Sequence, residues 1–158
     1  MIGEKEGVLC FLEEGEIKET SESYSAYMQE INRRLLKDSG GALIIDYGDD
    51  LEGDRIGDTL QALHHHKYAE VLKNPGEQDL THHVSFASLK EYLNQESLKI
   101  SVINQGEFLL SLGLEPWIEK LCRGTDAQTT MKMKTAAVRL IAPGEMGNLF
   151  KVLAVESR

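Results

Sequence analysis

Tyr24, Tyr27, Met28, Ile31 and Leu35 fall at i, i+3, i+4, i+7 and i+11, the spacing of one apolar stripe on a helix. Ser21 or Ser23 is placed to cap its first N–H groups, and Gly40-Gly41 to give it a left-handed exit. Upstream, the apolar run Val8–Leu12 is bounded by Gly7 and by Glu13-Glu14-Gly15, which predicts a strand entering a turn. Downstream, Ala42-Leu43-Ile44-Ile45-Asp46-Tyr47-Gly48 is continuously apolar up to its acidic residue. Continuity instead of alternation predicts a strand buried on both faces, as in the middle of a parallel sheet covered by helices. Open α/β sheets bind ligands outside the carboxyl ends of their strands, and Asp46 lies at such an end.

Residues 49–78 hold neither period for long and contain Gly53, Gly57, Pro75 and Gly76. They predict an elaborated loop with one short element near Leu60–His66, and a loop of that length inside a compact domain is more often a functional lid than filler. Ser85 opens a helix carrying Phe86, Leu89, Tyr92 and Leu93, and Leu98–Ile103 is strand-like. Short helices follow at Glu107–Leu112 and Pro116–Leu121. Asp126 then caps a helix with Ala127, Met131, Lys134, Val138 and Ile141 along one side, stopped by Pro143-Gly144, and Leu149–Val155 is a final strand. Phe108, Leu109, Leu112, Leu149, Phe150, Val152 and Leu153 are the expected core of this second half on apolar pattern.

The 158 residues suit one domain spanning 1–158. A net charge of −9, without a basic block, would repel a nucleic-acid backbone. The two cysteines, Cys10 and Cys122, form no CxxC or disulfide framework, which fits a reducing interior. No apolar run approaches the roughly 20 residues of a membrane span, and no signal-peptide core is visible. The composition therefore predicts a soluble intracellular chain that partners neither nucleic acid nor membrane.

Catalytic signatures with fixed spacing are missing: there is no G-x-S-x-G, P-loop, H-E-x-x-H or G-x-G-x-x-G. His64-His65-His66 and His82-His83 could bind zinc or nickel, but unpatterned histidines without a nearby cysteine fit solvated or capping loop residues better, and no metal is expected. Asp46, Asp49, Asp50, Glu52, Asp54 and Asp58 crowd into a short stretch opposed only by Arg55. From Asp50, the sixth and twelfth positions hold Arg55 and Gln61, which excludes an EF-hand. A solvated loop and a wall that attracts a cationic substrate both remain open.

Five ordered segments resemble one family. They are Gly40-Gly41-Ala42-Leu43-Ile44-Ile45-Asp46-Tyr47-Gly48; Gly57-Asp58-Thr59-Leu60-Gln61 with His66-Lys67-Tyr68; Asp79-Leu80-Thr81-His82-His83-Val84-Ser85-Phe86; Gln105–Gly113; and Met146–Leu153. Together they resemble the S-adenosylmethionine-dependent methyltransferases that include the mitochondrial complex I assembly methyltransferase and its bacterial relatives. The third segment departs from the family pattern at His82 and Ser85, where the family carries Ala and Asp. The resemblance implies an α/β fold: a partial class I methyltransferase Rossmann-like sheet made of the later strands, with helices and a long elaborated loop at 49–78 on the substrate side. It also implies that the Gly-rich cofactor loop and the active-site segment of the family precede Met1, so that this is a C-terminal portion. S-adenosyl-L-methionine is then the cofactor of the complete enzyme, with none expected for this chain alone.

The same resemblance implies a protein arginine as methyl acceptor, on a respiratory complex I subunit, in the bacterial cytoplasm or alternatively the mitochondrial matrix. An N-terminal half, or self-association, would complete the chain. Polar matched residues without a packing role are the candidate site: Asp46 and His83 for catalysis, and Tyr47, Thr59, Gln61, Asp79, Thr81 and Gln105 for substrate. Asp46 could grip a guanidinium through two parallel hydrogen bonds, and His83 could accept its proton. Gly48, Gly57, Gly106 and Gly147 are expected where φ is positive or a backbone comes close. The competing reading is a non-catalytic remnant or interaction module that retains only the docking surface.

Overall fold

The computed structural model describes residues 4–5, 8–13, 16–51 and 59–158. Glu52, Asp54, Arg55, Gly57 and Asp58, named above for the acidic loop and its motif, lie outside the described residues. The chain runs β1 (Glu4–Lys5), β2 (Val8–Glu13), β3 (Glu16–Ser21), α1 (Ser23–Asp38), β4 (Gly41–Asp49), β5 (Gln61–His64), β6 (Lys67–Ala69), β7 (Asp79–Thr81) and β8 (Val84–Ser85). It continues α2 (Phe86–Glu91), β9 (Leu98–Asn104), α3 (Gln105–Ser111), α4 (Leu114–Cys122), α5 (Ala127–Ile141), α6 (Met146–Leu149) and β10 (Phe150–Ser157). Three sheets result, in the orders β1-β2-β3, β8-β4-β10-β9 and β6-β5-β7.

The central sheet departs from the expected parallel one. β10 runs antiparallel to both β4 and β9, and only the two-residue β8 pairs parallel with β4, Gly48 opposite Val84 and Asp49 opposite Ser85. One face carries Ala42 and Ile44 beside Leu153, Val155, Ile100 and Val102, packed against Met28, Leu35, Phe86, Leu89, Leu93 and Leu98. On the other face Leu43 and Ile45 remain 51% and 43% exposed, so β4 is buried on one side and not on two. Its apolar continuity therefore reflects a second apolar face that the described residues cover only in part: Val152, opposite Ile45 on that face, is fully buried. Asp46 does not end the strand either: β4 continues to Asp49, and Asp46 is an exposed residue in register with Lys151.

Local chemistry explains most helix boundaries. The Ser85 side chain accepts the Ser88 N–H and starts α2, and Asp126 accepts the N–H and hydroxyl of Thr129 at 2.9 and 2.6 Å to start α5. For α1 the predicted serine cap is not made, because Ser21 and Ser23 bond each other at 2.8 Å and Glu22 occupies the N-cap. Its exit has positive φ at Ser39 and then at Gly40, the second as predicted. Met28 and Leu35 are buried as the stripe requires, while Tyr27 faces solvent. The segment expected as a loop holds a hairpin, β5–β6, turned by His65 and His66 with φ of 49° and 62°. Positive φ at both turn residues is the twist a two-residue hairpin favours, normally supplied by Asn-Gly.

α3 and α6 pack against β9 and β10, and α4 and α5 pack on them in turn. Neither α4 nor α5 contains a buried residue. Leu112 and Leu149, expected in the core, are exposed, as are Met131 and Val138 of the predicted α5 stripe. Val152 and Leu153 are fully buried as expected.

Between Gly41 and Tyr47 the outer edge of β4 carries no strand among the described residues. A long apolar strand edge beside exposed apolar side chains favours pairing with another chain. Sizing with light scattering is expected to show self-association, and a Leu43→Lys/Ile45→Lys double variant to shift it to monomer with its circular dichroism intact. A monomeric wild-type protein would contradict this.

Candidate functional site

Chemistry-bearing residues gather where β4 ends and β8 begins. A Cβ built on Gly48 would lie 2.0 Å from the Val84 carbonyl oxygen, so only glycine lets β8 approach. That contact sets His83, the residue before β8, against β4. The Tyr47 and His83 rings meet edge to face with centroids 4.1 Å apart, and Phe150 packs on Tyr47 at 5.8 Å. His83 Nδ1 is 3.6 Å from Asp49 Oδ2, both side chains being about four-fifths buried at 22% and 17% exposure. The neighbouring Asp50 is neutralised by Lys90 at 2.7 Å.

A second layer holds His83 by its main chain. Glu19, on β3, accepts the Thr59 N–H at 3.0 Å and the Thr59 hydroxyl at 2.6 Å. The Thr59 oxygen in turn accepts the His83 N–H at 3.0 Å. Thr59 is 6% exposed, so its hydroxyl pins the loop backbone rather than facing an open channel. His82 Nδ1 lies 3.0 Å from the His83 carbonyl oxygen.

Tyr24 joins the same region from α1. Burial pushes its phenol above the ordinary value of 10; a Ser85 main-chain hydrogen bond works against that, and the carboxylates of Asp46 and then Glu19 push it further up. Asp46 itself accepts the Tyr47 N–H at 2.7 Å through Oδ1. Of the predicted residues, Tyr47 and His83 are thus brought together at one end of β4 with Thr59 behind them, whereas Asp46 lies on the face of β4 opposite Tyr47 and Asp49. Gln61 and Thr81 stand opposite each other on the β6-β5-β7 sheet, with Asp79 two residues along β7. Gln105 is set apart: it is 7% exposed, and its Nε2 donates to the Leu140 carbonyl at 2.9 Å, tying α3 to α5. His64 Nδ1 lies 2.8 Å from the Glu77 carbonyl oxygen, and an open cavity of about 470 Å³ beside it is lined by Tyr68, Glu70, Lys73 and Gln78.

Comparison with known proteins decides the family. Residues 5–104 match the family model of S-adenosyl-L-methionine-dependent methyltransferases. The chain belongs to this methyltransferase family. Over 128 residues it is 30% identical to the mitochondrial protein arginine methyltransferase NDUFAF7 of Danio rerio, covering 81% of this chain and 30% of that protein. It is 28% identical over 137 residues to the mitochondrial NDUFAF7 homolog of Caenorhabditis elegans, covering 87% and 32%. It also superposes with a TM-score of 0.74 and 29% identity on a COG1565 superfamily member from Burkholderia thailandensis bound to S-adenosyl-homocysteine, covering 92% of this chain and 38% of that one. The chain spans about a third of the length of the curated relatives it matches. The Rossmann-like α/β expectation is met in the mixed sheet and its helices.

The methyltransferase cofactor does not find a cradle in the described residues. Anionic or dinucleotide-like groups sit on a Gly-rich turn between a strand and the N-terminus of a helix. The glycine-containing strand-to-helix junction here is β9–α3, where a Cβ on Gly106 would lie 2.5 Å from the Ile141 carbonyl oxygen. That space is filled by α5, as the space at Gly147 is, at 2.2 Å from the same oxygen. At Gly48, Gly106 and Gly147 the glycine is required by a close protein backbone. Sequence reasoning missed three site residues. Glu19 and Asp49 carried no signal beyond their charge, and Tyr24 was hidden in the α1 stripe, which its ring partly serves.

Two measurements test this geometry. Tyr24, read as the difference between wild type and Tyr24→Phe in an ultraviolet pH titration, is expected to titrate above 10, and Asp46→Asn to bring it back toward 10. Because its folded-state value is raised, its contribution to stability is present below about pH 10 and is lost as pH climbs through the folded value; Tyr24→Phe removes that part of the alkaline loss. An Asp46→Asn variant with unchanged Tyr24 titration contradicts the arrangement. Gly48→Ala is expected to destabilise the protein by about 1–3 kcal/mol in denaturant unfolding. Gly144→Ala, with nothing within 4 Å of its new Cβ, is the control.

Proposed function

We propose that this chain is the substrate-side, C-terminal part of an S-adenosyl-L-methionine-dependent protein arginine methyltransferase acting in respiratory complex I assembly. The rest of the sheet and the cofactor floor would come from the segment that precedes these motifs in the family, so the chain alone does not bind the cofactor. The observation that carries this reading is the convergence of Tyr47, Asp49 and His83 at the end of β4. The names of the relatives support arginine as the acceptor and a mitochondrial setting, with the bacterial cytoplasm as the alternative. The matched motifs support the complex I assignment. No helix among the described residues is long and apolar enough to cross a membrane.

A guanidinium that gains a methyl group must lose a proton, and it must be held in one orientation while it does so. In this reading Asp46, exposed on the opposite face of β4 from Tyr47 and Asp49, draws the cationic acceptor toward this end of the strand by charge. His83, whose Nδ1 stands 3.6 Å from Asp49 Oδ2, takes the proton, and the adjacent carboxylate stabilises the charge it gains. Tyr47 keeps the imidazole ring upright by its edge-to-face contact. The uncovered edge of β4 favours a second reading, an interaction module that docks a partner without catalysing transfer.

The test is carried out on the chain joined to the preceding part of a bacterial relative. His83→Gln is expected to lower kcat by about 10²–10⁴-fold, the usual contribution of a general base. Asp46 is exposed, so Asp46→Asn should raise KM for the acceptor by only about tenfold. Cofactor affinity, measured by calorimetry, should be unchanged in both variants. Normal turnover by His83→Gln would reduce the site to a docking surface. Micromolar cofactor binding by the 158-residue chain alone would overturn the division of labour.

A further inference from the structure

We propose that an extended, arginine-bearing segment of the acceptor protein pairs with the outer edge of β7 and is thereby led to the His83 site; this rests on the methyltransferase reading above. β7 is paired on one side only, Gln61 opposite Thr81, Ala62 opposite Leu80 and Leu63 opposite Asp79, and its other edge carries no strand among the described residues. All three of its residues are exposed. An unpaired strand edge presents a row of main-chain donors and acceptors, and an extended peptide adds to it as one further strand.

The sheet has a second outer edge, β6, and charge separates the two. β6 begins at Lys67 and is followed by Glu70 and Lys73, a net positive stretch that disfavours a cationic segment relative to β7. The β7 edge is entered past Glu77 and carries Asp79. Beyond its far end stand the carboxylates of Glu19 and Asp49, the first clamped on Thr59 and the second beside His83. A positively charged peptide is therefore complementary to β7 and not to β6. The chain leads from this edge to the site: His83 follows Thr81 by two residues and is fixed on the β5 side by donating its N–H to the Thr59 oxygen. Gln61, Asp79 and Thr81 lie on one face of this sheet by their register, which places side-chain recognition next to the main-chain ladder.

The experiment needs no cofactor and uses the 158-residue chain. Fluorescence anisotropy is read with a labelled five-residue peptide of β-forming residues around one arginine, and with two versions N-methylated at alternate main-chain amides. Strand addition uses every second amide of the peptide, so one N-methylated series should bind about three- to tenfold more weakly per blocked amide, while the other binds as the parent does. Asp79→Asn should weaken binding several-fold, Lys67→Gln should leave it unchanged or improve it, and an Arg→citrulline peptide should lose most of it. Equal binding of all three backbones, loss confined to Lys67→Gln, or no binding at millimolar peptide would each overturn the proposal. Peptide binding of the predicted pattern without methyl transfer in the joined enzyme would retain β7 as the docking edge and sink the catalytic reading instead.

Discussion

The approach of the Val84 main chain to Gly48 holds the functional end of the molecule together. β8 is only two residues long, and it reaches β4 because position 48 has no side chain to keep it away. From that contact follow the location of α2, which begins at Ser85, and the location of His83, which is turned onto Tyr47 and Asp49. α2 then closes the core with Phe86 and Leu89 against Met28 and Leu35 of α1. The glycine expected where a backbone comes close admits a neighbouring strand.

Around that contact the charges are arranged unevenly. Asp50 is matched by Lys90, and Glu19 is committed to Thr59 by two hydrogen bonds. Asp49, mostly buried, stands beside His83, while Asp46, at the exposed strand surface on the opposite face of β4, acts on Tyr24. A buried carboxylate beside an imidazole and an exposed one nearby are the two environments expected where one group positions a base and another binds a cation.

Sequence pattern made the caps and the buried strands legible. Ser85 and Asp126 start their helices, and Val152 and Leu153 are buried, because these features depend on chemistry within a few residues. The direction of β10 could not be read, since antiparallel and parallel neighbours leave the same apolar residues on a strand. Leu43, Ile45, Leu112 and Leu149 look like core in sequence and are exposed, because hydrophobicity reports what a residue would bury against and not whether the partner is present. The β5–β6 hairpin was hidden by its brevity and by a His-His turn in place of Asn-Gly. The site was half visible: the family motifs brought out Asp46, Tyr47, Thr59 and His83. Glu19, on another sheet and forty residues from Thr59, could be found only from the fold.

The central claim is that the end of β4, framed by Tyr47, Asp49 and His83, receives a guanidinium. Its most direct test is a titration of the isotope-labelled chain with N-acetyl-arginine amide, followed by nuclear magnetic resonance at each main-chain amide and histidine ring. The account predicts saturable shifts centred on Tyr47, Asp49 and His83, absent when citrulline replaces arginine. Shifts confined to the exposed surfaces of α4 and α5, or equal for arginine and citrulline, would contradict it.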